Sequence, residues 1–182
     1  MPSDETAIAH TRKWIADVVV GCNFCPFAAR VLKAGNIHYV VVPEAEIQKA
    51  LEQLALCFLH LHSNETTETL FLIFPGNYQN FEDYLDLLDL SQAFLKKQNY
   101  EGIYQIASFH PGYLFACSTE DDPANYTNRS PYPMLHLLRE ESVARAIDSF
   151  PAVEKIPEQN IDYARKKGLL YLQSLREACF VK

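Results

Sequence analysis

Two histidines and two arginines stand close together in the second half of the chain. His110 lies in Phe109-His110-Pro111-Gly112, and His136 and Arg139 lie in Met134-Leu135-His136-Leu137-Leu138-Arg139-Glu140. Between them runs Asn125-Tyr126-Thr127-Asn128-Arg129-Ser130-Pro131-Tyr132-Pro133. An imidazole whose pKa stays near neutrality serves as a general acid or base. Arginine flanked by asparagine and serine donors suits phosphate or carboxylate. Proline is favoured at a first helical position, so a helix is expected from Pro133 to about Phe150. Its unpaired N–H groups would add to an anion grip, and His136 and Arg139 would lie on neighbouring parts of its surface. The expected site is therefore His110 and His136 for proton transfer, with Asn128, Arg129, Ser130 and Arg139 holding an anionic substrate. Simpler roles stay open beside it: His110 as a turn residue bonded to backbone, Arg129 paired with Asp121 or Asp122, and Arg139 paired with a neighbour on its own helix.

Cys25 is a further catalytic candidate, as a nucleophile paired with a distant histidine. Cys22-x-x-Cys25 has the spacing of a dithiol centre, but such centres follow a strand and start a helix. Here the pair follows a helix, and Cys22 falls on that helix's apolar stripe. A buried turn residue between Phe24 and Phe27 is the plainer role for Cys25. Zinc would need two more ligands, and no metal site is assigned. His60-x-His62 sits at a helix end where the two rings diverge, and Glu120-Asp121-Asp122 reads as a solvated loop. Gly-rich nucleotide fingerprints, a Gly-x-Ser-x-Gly elbow and His-Glu-x-x-His are all absent, so no cofactor is assignable.

The elements that must carry these groups alternate. Residues 5–20 read as an amphipathic helix with Ile8, Thr11, Ile15, Val18, Val19 and Cys22 on one face. Residues 37–42 read as a strand ended by Pro43. Residues 44–61 read as a helix, and residues 69–74 as a strand buried on both faces. Asn80 is placed to cap a third helix, and residues 102–109 read as a third strand. Connections of this length suit right-handed crossovers between parallel strands. His110 would then stand at the carboxyl ends of the strands, where ligands bind in such sheets. Residues 113–117 could add a short antiparallel strand or form a wider loop. A last helix from about Pro157 carries Ile161, Ala164, Leu172 and Leu175, with Gly168 either a close-packing point or a break. The expected fold is a single α/β domain over residues 1–182, with a three- or four-stranded, largely parallel sheet and helices on its faces.

The chain has 182 residues, 48% hydrophobic and 21% charged, with a formal charge of −7. That charge leaves no basic stripe for a nucleic-acid backbone. An acidic start and no apolar run near 20 residues point away from a secretory signal and a membrane span. Five cysteines, an odd number beside a large core, point to a reduced, cytoplasmic setting.

Cys25-Pro26-Phe27-Ala28, Phe109-His110-Pro111, Asn128-Arg129-Ser130-Pro131-Tyr132-Pro133 and His136-Leu137-Leu138-Arg139-Glu140 together carry a resemblance. The chain resembles a family of small bacterial proteins classed as a domain of unknown function. The resemblance covers nearly the whole chain and implies a small single-domain protein, without an activity to carry over. It also implies that Cys25 recurs where Cys22 does not, which favours Cys25 as the thiol of interest. The function expected is an enzyme acting on a small anionic metabolite by histidine-assisted acid–base chemistry. The alternative is a non-catalytic module that senses a metabolite or binds a protein through the same surface.

Overall fold

The protein is described by a computed structural model over residues 1–43, 46–150 and 152–180. Its sheet has four strands, β1 (Ile37–Val41), β2 (Thr69–Ile73), β3 (Tyr104–Phe109) and β4 (Met134–Arg139), in the order β1-β2-β4-β3. Only β1 and β2 pair in parallel; β4 pairs antiparallel with both β2 and β3. The first three strands therefore point the same way, and β4 is inserted against them. The expected largely parallel sheet is replaced by a mixed one.

Seven α-helices occur among the described residues: α1 (Asp4–Trp14), α2 (Ala28–Ala34), α3 (Ile47–Ser63), α4 (Phe81–Lys97), α5 (Glu140–Asp148), α6 (Ile156–Lys167) and α7 (Leu169–Glu177). Ser3 caps α1 through its side chain, and the helix continues as a π-helical turn over Ile15–Val20. The expected start of the second helix at residues 44 and 45 lies outside the described residues. Asn80 caps α4, accepting from the N–H groups of Glu82 and Asp83. Gly168 breaks the last helical stretch in two, at φ +85° and ψ 160°. No heavy atom comes within 4 Å of a Cβ built there, so conformation and not close packing requires the glycine.

The two sheet faces carry separate cores. Leu70, Leu72, Leu135 and Leu137 pack under Leu54, Phe58 and Leu61 of α3 and Tyr84 and Leu87 of α4. Phe71, Ile73 and Met134 face the opposite way, against Trp14, Ile15 and Val18 of the first helix and Ala164, Leu172 and Cys179 from the end of the chain.

Residues 134–139 are the main departure from expectation. They form the strand β4 and not the first turns of a helix, and α5 starts only at Glu140. In a central strand Leu135 and Leu137 face one core while Met134 faces the other, so a nearly continuous apolar run is satisfied on both sides. Burial there outweighs the helix preference of Met and Leu. Residues 113–117 form no strand; residues 116 and 117 lie in a turn.

Candidate functional site

Residues 110–133 lead from β3 back to β4, with one 3-10 turn (Pro123–Thr127) as their regular structure. A connection of that length must satisfy its own backbone, and its polar side chains do this. His110 is 1% exposed. Its Nε2–H donates to the Tyr78 carbonyl at 2.8 Å, and its Nδ1 accepts the Gly112 N–H at 2.9 Å. Both ring nitrogens are thereby occupied in the neutral form, and burial pushes its pKa down. Asn125, fully buried, accepts the Phe115 N–H and donates to the Thr119 carbonyl. Asn128 donates to the Ser108 carbonyl at 3.3 Å, and Ser130 to the Tyr132 carbonyl at 2.5 Å.

Arg129 donates to the carbonyls of Tyr113 and Glu120 and lies over the Tyr126 ring at 4.9 Å. It does not pair with Asp122, which binds Arg165 at 2.8 Å. Arg139 donates to the carbonyls of Leu61, Asn64 and Thr67, closing the carboxyl end of α3 and the turn after it. The helix start expected at Pro133 does not exist, so its unpaired N–H groups are gone from the candidate site.

Of the seven residues expected at the site, Cys25 and His136 share a cleft, and the other five do not line it. The cleft has a volume of about 120 Å³ and lies over the amino ends of β1 and β2, at Ile37 and Thr69. His110 follows the carboxyl end of β3, at the opposite end of the sheet. A separate, open pocket beside the carboxyl end of β3 is lined by Pro111, Gly112, Asp121 and Arg129, so the Cys25–His136 cleft lies at the other end of the sheet from the expected crevice. Phe27, Val31 and Phe71 supply apolar wall, and α5 contributes Ser142, Val143 and Ala146. Arg30 stands at its side in a salt bridge of 2.5 Å with Glu68.

The sheet register places His136. Tyr39, Phe71 and His136 are partners across β1, β2 and β4, and the rings stack: Phe71 on His136 at 4.0 Å and 4°, Tyr39 on Phe71 at 6.0 Å. His136 Nε2 lies 2.6 Å from Thr69 Oγ1, and the Thr69 hydroxyl lies 2.7 Å from the Leu137 carbonyl. A carbonyl only accepts, so the single hydroxyl proton goes to Leu137. Thr69 Oγ1 must then accept from Nε2–H. Burial holds the His136 pKa down to about 3, so the ring is neutral and Nδ1 carries a bare lone pair. That nitrogen has no partner among the described residues.

Cys25 sits in the turn that leads into α2. Burial raises its thiol pKa, against a smaller opposing pull from the backbone N–H groups of Phe27 and Ala28. The thiol and the imidazole do not hydrogen-bond to each other. Cys22 is 5% exposed and belongs to the core, so the Cys-x-x-Cys spacing marks one wall residue and one core residue. His60 stacks on His38 and bonds to Thr67. Among the described residues no group of three or more His, Cys, Asp or Glu could hold a metal ion, and no helix is long and apolar enough to cross a membrane.

A family model described as a protein of unknown function, DUF1415, matches residues 6–174. The chain belongs to the DUF1415 family. The match takes in every residue of the cleft and of the loop before β4. No curated protein and no solved structure matches the chain.

Sequence reasoning missed Thr69, which fixes the imidazole of this DUF1415 protein, and the wall from Phe71, α2 and Ser142. One signal was present: Thr69 is the polar end of an otherwise apolar run, Thr69 to Phe74. A hydroxyl in a strand buried on both faces needs a partner.

Proposed function

We propose that this DUF1415 protein is an enzyme acting on a small molecule bound in the Cys25–His136 cleft, with His136 assisting proton transfer. The observation that carries the reading is the bare Nδ1 of His136, whose ring is fixed by Thr69 and lines the cleft that Cys25 also lines. Cys25 is the nucleophile in this reading: Sγ attacks an electrophilic centre, and its proton passes to His136 Nδ1 as the new bond forms. For an ester, the leaving alkoxide takes that proton, and water then cleaves the thioester. Substrate is needed to bring thiol and imidazole into register.

The anionic character expected for the substrate loses its two main carriers. Arg129 and Arg139 are committed to backbone carbonyls. Among the described residues lining the cleft, an anionic group would have only Arg30 to meet, in competition with Glu68.

A second reading, a non-catalytic binding module, is favoured by one observation. Burial moves both groups toward their neutral forms, raising the thiol and lowering the imidazole. A short activated ester, p-nitrophenyl acetate, separates the two. The enzyme reading expects Cys25-dependent release of nitrophenol, an acyl adduct on Cys25 by mass spectrometry, and loss of at least ~100-fold of the rate in Cys25→Ala and ~10-fold or more in His136→Phe. Full turnover in Cys25→Ala, or none in the wild type, leaves the binding module.

A further inference from the structure

We infer that the cleft takes a neutral molecule about the size of one six-membered ring, with an apolar body and a single hydrogen-bond donor directed at His136 Nδ1. The inference rests on the cleft being the working site and adds the class of ligand it selects.

Size comes first. The volume of about 120 Å³ is close to the ~150 Å³ of an apolar cavity that holds benzene. The walls match such a guest: Phe27, Val31, Leu138, Val143 and Ala146 present carbon, and the stacked rings of Phe71 and His136 line the cleft beside them. A flat ring gains dispersion and aromatic edge contacts there.

Charge comes second. Among the described residues lining the cleft, Arg30 is the only Lys or Arg, and it is paired with Glu68. A charged guest would lose its hydration without gaining a counter-ion. Cys25 and His136 report the same thing independently, because their charged forms have opposite sign and both are disfavoured. A cleft that selected an anion would favour a protonated imidazole beside it, and one that selected a cation an ionised thiol; burial works against both here.

Direction comes third. The Thr69 relay leaves His136 with one unused group, and that group is an acceptor. An O–H or N–H on the guest satisfies it, whereas a purely apolar guest buries the lone pair at a cost.

Toluene, phenol, benzoate and benzylammonium have one ring size and differ in donor and charge. Binding to the full chain is read by ligand-observed NMR titration and by protection of Cys25 from iodoacetamide, mapped by mass spectrometry. Phenol is expected to bind roughly 5- to 10-fold more tightly than toluene, the advantage of one net hydrogen bond, while the two ions leave Cys25 unprotected. In His136→Phe the preference for phenol should vanish while toluene still binds. In Ala146→Phe, which fills the cleft from the α5 side, no probe should protect Cys25. Benzoate or benzylammonium matching phenol overturns the inference. So does unchanged phenol binding in Ala146→Phe, or the absence of any binding to a folded wild type. None of these readouts involves turnover. The ligand class can therefore fail while ester turnover stands, and the reverse.

Discussion

His110 and His136 are both neutral histidines held by fixed partners, yet only one retains a free nitrogen. His110 spends both nitrogens on backbone, the Tyr78 carbonyl and the Gly112 N–H, so it can neither give nor take a proton without breaking the turn it supports. Replacing it with alanine removes both bonds and opens a cavity, at a cost of about 2–4 kcal/mol in urea unfolding. The folded fraction of His110→Ala should keep wild-type Cys25-dependent ester turnover; a selective loss would give His110 a chemical role. His136 spends one nitrogen, and Thr69 decides which. Thr69→Val removes the acceptor for Nε2–H at a cost of about 1–2 kcal/mol and releases the tautomer. Histidine nitrogen shifts should show a protonated Nε2 in the wild type and a mixture in Thr69→Val, with turnover lowered. A wild type protonated on Nδ1 would remove the general base altogether.

At the scale of elements, polar groups that resemble a binding surface in sequence turn out to close helix ends and loops. Arg139 is the clearest case, with its guanidinium at the carbonyls of Leu61, Asn64 and Thr67. Arg139→Leu should lose about 2–3 kcal/mol, the worth of charge-assisted bonds to the end of α3, and should leave phenol binding unchanged. Gly168 is a second joint: φ +85° with ψ 160° is a region essentially restricted to glycine. Gly168→Ala should cost about 1–3 kcal/mol by strain alone, since the space around it is empty. The elements with clean periodicity were legible in the chain. Ile47, Leu51, Leu54, Phe58 and Leu61 repeat at helical spacing in α3, and Thr69–Ile73 carries the continuous apolar pattern of β2. Met134–Arg139 was not legible, because Leu-rich residues with one histidine satisfy either period, and only its insertion between β2 and β3 decides. That one segment also decides the site. As a strand it sets His136 in register with Phe71 and beside Thr69; as a helix it would have set His136 beside Arg139. Cys25 was legible as a residue of interest, but its shared cleft with His136 depends on β4 and α5, far along the chain.

For the whole molecule, three histidines titrate with the same sign. Burial lowers His38, with a further push from its stacking partner His60; burial also lowers His110 and takes His136 down to about 3. The unfolded chain binds a proton at each near the ordinary value of 6.5, while the folded chain resists, so unfolding takes up protons below that pH. Stability from these groups is therefore complete above about pH 6.5 and declines as pH falls toward the folded values. His136 acts over the window from 6.5 to about 3, with a limiting slope of about 1.4 kcal/mol per pH unit. Asp122, held down to about 2 chiefly by its bond from Arg165, extends the decline into the range below its ordinary 3.8. Trp14 is the only tryptophan and is 1% exposed; its ring lies against Phe109 at 5.0 Å, and its Nε1–H donates to the Arg129 carbonyl. Its fluorescence therefore reports opening of the core that adjoins the cleft. Urea unfolding followed by Trp14 from pH 8 to pH 4 should show stability level down to about pH 6.5 and falling below it. His136→Phe keeps the stack on Phe71 and removes the titrating group, and Thr69 can still donate to Leu137. Its slope between pH 6 and pH 4 should be shallower by up to about 1.4 kcal/mol per pH unit. Equal slopes in the two proteins would mean that His136 is hydrated and protonates normally. The cleft would then lack the dry, neutral character on which both the proton-transfer role of Nδ1 and the selection of a neutral ring depend.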